Sequence, residues 1–163
     1  MKNAKNWILF ALVLVGVALA LTGLFIAYMQ ITTTVAGAST TSTTTLFESE
    51  FFTETSDLSR ACMAFAIMTV IFACVTLILA ALQLSNVARV NQLKMVTSAL
   101  SVVCAIIAFV LICVFANDYS ASLGGLASAT SAPAIGAYLL AIGGIVSGLF
   151  GFFPISQRKK SKK

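Results

Sequence analysis

The side chains that could carry out chemistry are few and fall into two groups. Four carboxylates, Glu48, Glu50, Glu54 and Asp57, lie close together, and four cysteines are spread over a chain that has no histidine. Carboxylates can hold a divalent cation, but a dedicated calcium loop places its oxygen ligands at fixed positions that this segment does not reproduce. We therefore expect no metal site and no cofactor.

The cysteines lie within two apolar runs. Cys62 and Cys74 belong to one run and Cys104 and Cys113 to the next, at spacings that differ from those of zinc ligands. Small apolar packing residues are the simplest interpretation, because no histidine could activate a thiolate. Cys62 and Cys113 both lie near the outer ends of their runs. A disulfide between them is therefore the alternative, provided that their Cα atoms approach within about 7 Å.

Ionisable groups are missing from the middle of the apolar runs. Intramembrane catalysts and proton carriers place such groups within the bilayer, so we predict that the protein is not an enzyme. The polar residues of the runs are uncharged: Thr22, Thr69, Thr76, Gln83, Ser98, Ser101 and Ser147. In an oligomer these side chains could line a pore if they faced it along a common line. Most of them can instead hydrogen-bond to carbonyls of their own helix.

Four apolar runs must position these side chains. They cover about 7–28, 61–84, 95–116 and 135–153. Of all residues 60% are hydrophobic and 9% are charged, against about 25% charged in soluble domains. Each run can cross the ~30 Å hydrocarbon layer as a helix, which satisfies its own backbone in lipid. The sequence predicts an all-α membrane protein with a single domain, 1–163, an antiparallel bundle of four transmembrane helices with external loops at 31–60 and 117–133.

The charges alternate between the polar segments. All five acidic residues lie in the two external loops, whereas nine of the ten basic residues lie in the other three segments. Because basic residues are retained on the cytoplasmic side, we expect a multi-pass plasma-membrane protein with both termini cytoplasmic. The net charge of +5 then reflects topology and contact with anionic lipid, not nucleic-acid binding. A cleaved signal peptide is the alternative for the first run, but that run is longer than the usual 7–15 residues.

The first external loop has two halves. Consecutive threonines at 32–45 favour extended structure, and Gly37 could turn a small extracellular hairpin or sheet; a flexible, O-glycosylated spacer is the alternative. The second half is aromatic and acidic and could rest on the membrane or face a partner. A partner would meet Phe47, Glu48, Glu50, Phe51 and Glu54. Four acidic residues and one basic residue give the loop a charge of −3, which favours basic partners.

Arg60 is the one basic residue in an external segment. We expect its side chain to extend to water and to pair with Asp57 or Glu54. The alternative is that Arg60, together with Asp57, anchors the loop to the helices.

Small residues recur at helical spacing in the first and fourth runs. They are Gly16, Ala20 and Gly23, and Gly136, Gly143, Gly144 and Gly148. Small residues at this spacing allow helix backbones to approach closely in lipid. The pattern indicates packing within one bundle or, alternatively, contact between copies.

Several short motifs resemble claudin-type tetraspan proteins. Residues 58–63 (LSRACM) are similar to the Arg-Ala-x-Met start of their second helix, Lys94 has a counterpart before the third, and residues 135–139 followed by Gly143 and Gly144 resemble the fourth. The first loop has no Trp and no Cys, so the Trp–Gly-Leu-Trp–Cys–Cys signature is absent. The resemblance implies a left-handed four-helix bundle, with a small extracellular sheet in some members, acting in adhesion, barrier formation or membrane organisation.

These features predict a structural, adhesion or membrane-organising protein. It would act through assembly of helix faces and through its acidic, Thr-rich loop, with lipid and either further copies or other membrane proteins as partners. A small channel or transport subunit and an accessory subunit of a larger complex are the alternatives. No nucleic acid or small-molecule substrate is expected.

Overall fold

Four helices and four strands make up the described chain. The structure is a computed structural model that describes residues 2–35, 37–47, 57–85, 90–118, 121–123 and 127–154. The helices are α1 (Lys2–Phe25), α2 (Asp57–Leu84), α3 (Asn91–Asp118) and α4 (Ile135–Phe152). The strands are β1 (Ala27–Val35), β2 (Ala38–Thr45), β3 (Ala121–Leu123) and β4 (Ala127–Pro133). All four helices are long and apolar enough to cross a membrane.

Each helix packs against its neighbours in the order α1, α2, α3, α4, and α4 also packs against α1. Neighbouring helices run in opposite directions. In the α1–α4 pair, Gly16 lies against Ser147 and Gly23 lies against Gly136, so residue numbers rise in one helix as they fall in the other. The described ends of the chain therefore lie at the same end of the helices as the α2–α3 link, and the strands lie at the opposite end.

The strands form one antiparallel sheet in the order β2-β1-β4-β3. β1 and β2 form a hairpin that turns at Gly37, whose φ of 84° suits a residue without a Cβ. The predicted hairpin of the Thr-rich segment is therefore confirmed. The contribution of the second loop was not predicted, because Ala is depleted in strands and β4 forms by pairing with β1 along 127–133.

The bounds of the helices differ from the apolar runs. α1 ends at Phe25, so placing Tyr28 at the outer end of the first helix was wrong: it lies in β1 with a fully buried side chain. α2 begins at Asp57, which makes Arg60 helical, and α3 extends past 95–116 at both ends. Apolar runs report the segment that suits lipid, whereas polar residues can continue a helix beyond it.

The base of the sheet is joined firmly to the helices. Tyr28, Met29 and Leu46 are buried in one core cluster with Cys62 and other residues of α2, α3 and α4. The Ala134 backbone N–H donates to the Tyr28 carbonyl (2.9 Å), and the Ser131 hydroxyl donates to the Ala116 carbonyl (2.6 Å). These bonds join β1 to the start of α4 and β4 to the end of α3.

Candidate functional site

The small residues of α1 lie directly against the backbone of α4. A Cβ added at Gly16 would lie 2.5 Å from the Ser147 backbone nitrogen, and one added at Gly143 would lie 2.6 Å from the Gly16 carbonyl oxygen. Gly23 and Gly136 approach each other in the same way, and Ala20 is completely buried. This stripe is therefore occupied within the chain.

The remaining glycines of α4 face the other two helices. A Cβ at Gly144 would lie 2.6 Å from the Thr69 methyl group, and one at Gly148 would lie 2.7 Å from the Ser98 carbonyl oxygen. Gly151, which the sequence analysis did not single out, lies against Ser98 and Thr76. All seven of the small residues singled out from the sequence thus contact their own chain, as the interpretation of packing within one bundle requires.

Six of the seven polar residues of the spans lie in the interior of the chain. Thr22 is exposed and donates to the Ala18 carbonyl (2.8 Å). The others are buried: Thr69, Thr76, Gln83, Ser98, Ser101 and Ser147. Together with Thr97 and Lys94 we call these buried residues the interior polar row.

Most side chains of the interior polar row form hydrogen bonds within the chain. The Thr76 hydroxyl donates to that of Thr97 (3.1 Å), and the Ser101 hydroxyl donates to the Gly144 carbonyl (3.3 Å). The Thr69 hydroxyl donates to its own helix, at Phe65 (2.8 Å). These hydroxyls therefore lie inside one chain, where they bond to each other or to backbone carbonyls.

Lys94 is the residue of this row that the sequence analysis placed outside the helix. It lies in the first turn of α3, its side chain is 1% exposed, and its Nζ donates to the Phe153 carbonyl (2.8 Å). Carbonyls at a helix C-terminus carry partial negative charge, so α4 supplies the partner that a buried ammonium needs. The hydroxyls of Thr97 and Ser98, three and four residues later, bond the Lys94 carbonyl. That spacing was the sequence signal that Lys94 belongs to α3.

Gln83 ends the interior polar row on α2. It is 3% exposed, and its Nε2 donates to the Asn91 Oδ1 (3.4 Å). Its Oε1 has no hydrogen-bond partner among the residues that the structure describes. This long hydrogen bond joins the end of α2 to the start of α3.

Cys62 and Cys113 are free thiols, so the disulfide considered from their depths is not formed in the structure. The Cys62 Sγ instead lies 3.9 Å from the Tyr28 hydroxyl and 3.6 Å from the Ala108 carbonyl oxygen. Burial raises the pKa of the Tyr28 phenol, and the neighbouring Cys62 adds to that effect. Cys74 and Cys104 are free as well. Within the described ranges, no three His, Cys, Asp or Glu side chains form a group that could hold a metal ion.

Arg60 and Asp57 are both exposed in the first turn of α2. No ion pair joins these two described side chains. Glu48, Glu50, Phe51 and Glu54 lie outside the described residues, so pairing of Arg60 with Glu54 and the anchoring of the loop stay predictions. Phe47 is described: its exposed ring lies 5.7 Å from that of Phe25, at the end of α1.

The two faces of the sheet differ. Met29 and Thr44 are buried on the face toward the helices. By the strand register, the opposite face carries Gln30, Thr32, Thr34, Ser39, Thr41, Thr43, Ser128, Thr130 and Ala132. This face is uncharged and almost wholly hydroxylated, with the Thr32 and Thr41 hydroxyls 3.3 Å apart. The alternation of side chains along each strand would have identified this face from the sequence only if the register between the strands had been known.

Comparisons with protein-family models, with curated proteins and with solved structures gave no match.

Proposed function

We propose that this protein is a structural, membrane-organising component that crosses a membrane as an antiparallel bundle of four helices and holds its sheet outside the cytoplasm. The alternation of basic and acidic segments supports this orientation. The geometry agrees with it, since the start of α1 and the end of α4, which the basic segments adjoin in sequence, lie at one end of the helices and the strands lie at the other. Both termini then lie in the cytoplasm, and the membrane that the protein crosses is the plasma membrane.

The observation that carries the proposal is the bonding within the interior polar row. Thr76, Ser101 and Lys94 are bonded to groups of the same chain, and glycine contacts leave no room between the backbones of α1 and α4. An interior used for packing and hydrogen bonding favours a structural role over conduction or catalysis. Among the described residues, the outer face of the sheet and the exposed apolar sides of the helices remain available to other molecules.

The resemblance to claudin-type tetraspan proteins belongs to the proposal as well. Four helices with a small sheet between the first and second helices agree with what the resemblance implies. The second loop also contributes strands, and the first loop lacks the Trp and Cys signature. We therefore favour a role in adhesion or membrane organisation that does not depend on that signature.

Orientation is tested with one cysteine at each end of the molecule. Thr41→Cys lies on β2 and Ser85→Cys just after α2, and both positions are exposed. A membrane-impermeant maleimide should label Thr41→Cys in intact cells, and Ser85→Cys only after permeabilisation. The unsubstituted protein gives the baseline for the four native cysteines. Labelling of Ser85→Cys alone in intact cells would refute the orientation.

The structural role is tested on the complete chain extracted from its native membrane. Mass spectrometry in mild detergent should find assemblies of copies of this chain, and the purified protein in pure lipid should give no ion-selective current. A stoichiometric larger partner would favour an accessory subunit. Robust selective currents would favour a channel.

A further inference from the structure

The sheet has two edges of very different character. In the order β2-β1-β4-β3, β3 and β2 each have one side without a strand partner in the described chain. β3 has three residues, whereas β2 has eight, with the sequence ASTTSTTT. A short edge strand protects a sheet against further pairing, and a long one exposes a row of backbone donors and acceptors. β2 is therefore the edge at which the sheet can be extended.

Within the described chain, β2 lacks three usual protections of an edge, namely charge, proline and a bulge along most of its length. It contains no charged residue and no proline. Its pairing with β1 runs residue by residue from Val35↔Ala38 to Met29↔Thr44, and the one irregularity lies below this stretch, between Ala27 and Met29. The side chains from Ala38 to Thr43 are all exposed. Natural sheets avoid a long, straight, uncharged edge unless it is covered.

We propose that β2 pairs antiparallel with β2 of a second copy, so that two sheets join into one. This rests on the proposed function, which places the sheet outside the membrane in an assembling protein. Such pairing is addition of a strand to an exposed sheet edge. The contact uses the same patch on both copies and is therefore two-fold symmetric and closed.

The chemistry of the chain itself favours a second copy as the occupant. On its inner side β2 already pairs with a Thr-rich strand: Thr40 faces Thr33, and the hydroxyls of Thr41 and Thr32 lie 3.3 Å apart. A second β2 offers the same Ser and Thr side chains to the outer side. It brings no like charges to the contact, and Thr–Thr and Thr–Ser pairs across strands are favourable.

The small-residue stripes add an argument by elimination of surfaces. Gly16 and Gly143 already contact each other's helices, and Gly148 contacts α3. Copies that assemble must therefore use a surface other than these stripes. A β2 pair leaves the packing of the helices unchanged.

The pairing is tested by disulfide crosslinking in the membrane. Single cysteines are placed at successive positions from Ala38 to Thr43, with Ser128→Cys as the matched control. Ser128 is also an exposed hydroxyl residue, but it lies on β4, between β1 and β3. Mild oxidation should give a covalent dimer whose yield peaks at one β2 position and falls on both sides, as a two-fold axis requires. The control and the unsubstituted protein should give background yield.

Charge variants provide the second measurement. Thr40→Lys should lower the dimer fraction in liposomes several-fold, because both copies then bring a cation to the contact. Thr40→Glu should do the same, and mixing the two variants should restore dimers that contain one of each. Ser128→Lys should leave the dimer fraction unchanged. Helix content by circular dichroism checks that each variant is folded.

The outcomes separate this inference from the proposed function. Background crosslinking along β2, with Thr41→Cys still labelled from outside, would overturn the pairing and leave the orientation intact. A crosslink from β2 to a different protein, or to β3 of a second copy, would overturn the self-pairing. Failure to label β2 from outside would overturn the proposed orientation.

Discussion

The bundle is held together differently at two places. One is the contact of α1 with α4, and the other is the set of contacts that α3 makes with α2 and α4. Between α1 and α4, Gly16 and Gly143 bring the two backbones together. Around α3, side chains such as Thr97 and Ser101 bond across the helices. Lipid supplies no hydrophobic drive for helix association, so packing and hydrogen bonds must provide it. Close packing also operates at Gly148, against α3, but there side-chain hydrogen bonds between helices are added to it.

The two kinds of contact should tolerate mutation to different degrees. A close backbone contact has no adjustable part, because neither carbonyl nor amide can rotate out of the way. A side-chain hydrogen bond can be replaced or lost at modest cost, since the hydroxyl can bond its own helix instead. Mutations in the α1–α4 contact should therefore lower the free energy of unfolding more than mutations of the hydroxyl groups around α3.

The largest effect is expected for Gly143→Leu. Its Cβ would lie 2.6 Å from the Gly16 carbonyl oxygen and also against the Ala20 backbone, so α1 and α4 must separate. Overpacking of a well-packed core costs about 1–3 kcal/mol and occasionally more, and we expect a loss above ~3 kcal/mol here because the clash is with backbone. Thermal unfolding in detergent measures the loss. Ala11→Leu, at an exposed position of α1, is the control, and an equal loss in both variants would refute the backbone contact.

An intermediate effect is expected for Lys94→Met. The change removes the bond to the Phe153 carbonyl, and a hydrogen bond to a charged group contributes about 1.5–3 kcal/mol. Unfolding free energy in detergent or bicelles measures it. Lys5→Met, at an exposed site on α1, controls for loss of a cationic side chain. Unchanged or increased stability of Lys94→Met would mean that burying the ammonium costs as much as its bond returns.

The sequence predicted the parts of the fold that lipid determines and missed those that tertiary pairing determines. The four helices follow from hydropathy, and the hairpin follows from the threonines around Gly37. The strand at 127–133 could not be predicted, because its Ala and Ser residues become a strand by pairing with β1. The end of α1 was misplaced at about residue 28 because hydropathy does not show where an apolar segment changes from helix to strand.

The candidate surfaces were predicted unevenly for a related reason. Small-residue spacing identified the stripes, but it could not decide between packing inside the chain and contact between copies; the distances around Gly16 and Gly144 do. Lys94 was missed because a lysine at the end of an apolar run is expected to reach water. Whether Lys94 is buried depends on where α4 ends relative to α3, which only the tertiary structure shows.

The smallest effect, and the sharpest comparison, is expected between Thr76→Val and Thr22→Val. Both remove one hydroxyl from a helix at nearly constant shape. Thr76 bonds across to Thr97 and is buried, whereas Thr22 bonds its own backbone at Ala18 and is exposed. Interhelical hydrogen bonds in membranes average about 0.6 kcal/mol, so Thr76→Val should lose about that much in unfolding free energy and Thr22→Val close to none. If both variants lost the same amount, hydroxyl bonding across the helices would not distinguish the α3 contacts from the rest of the bundle, and close packing would have to account for both sides.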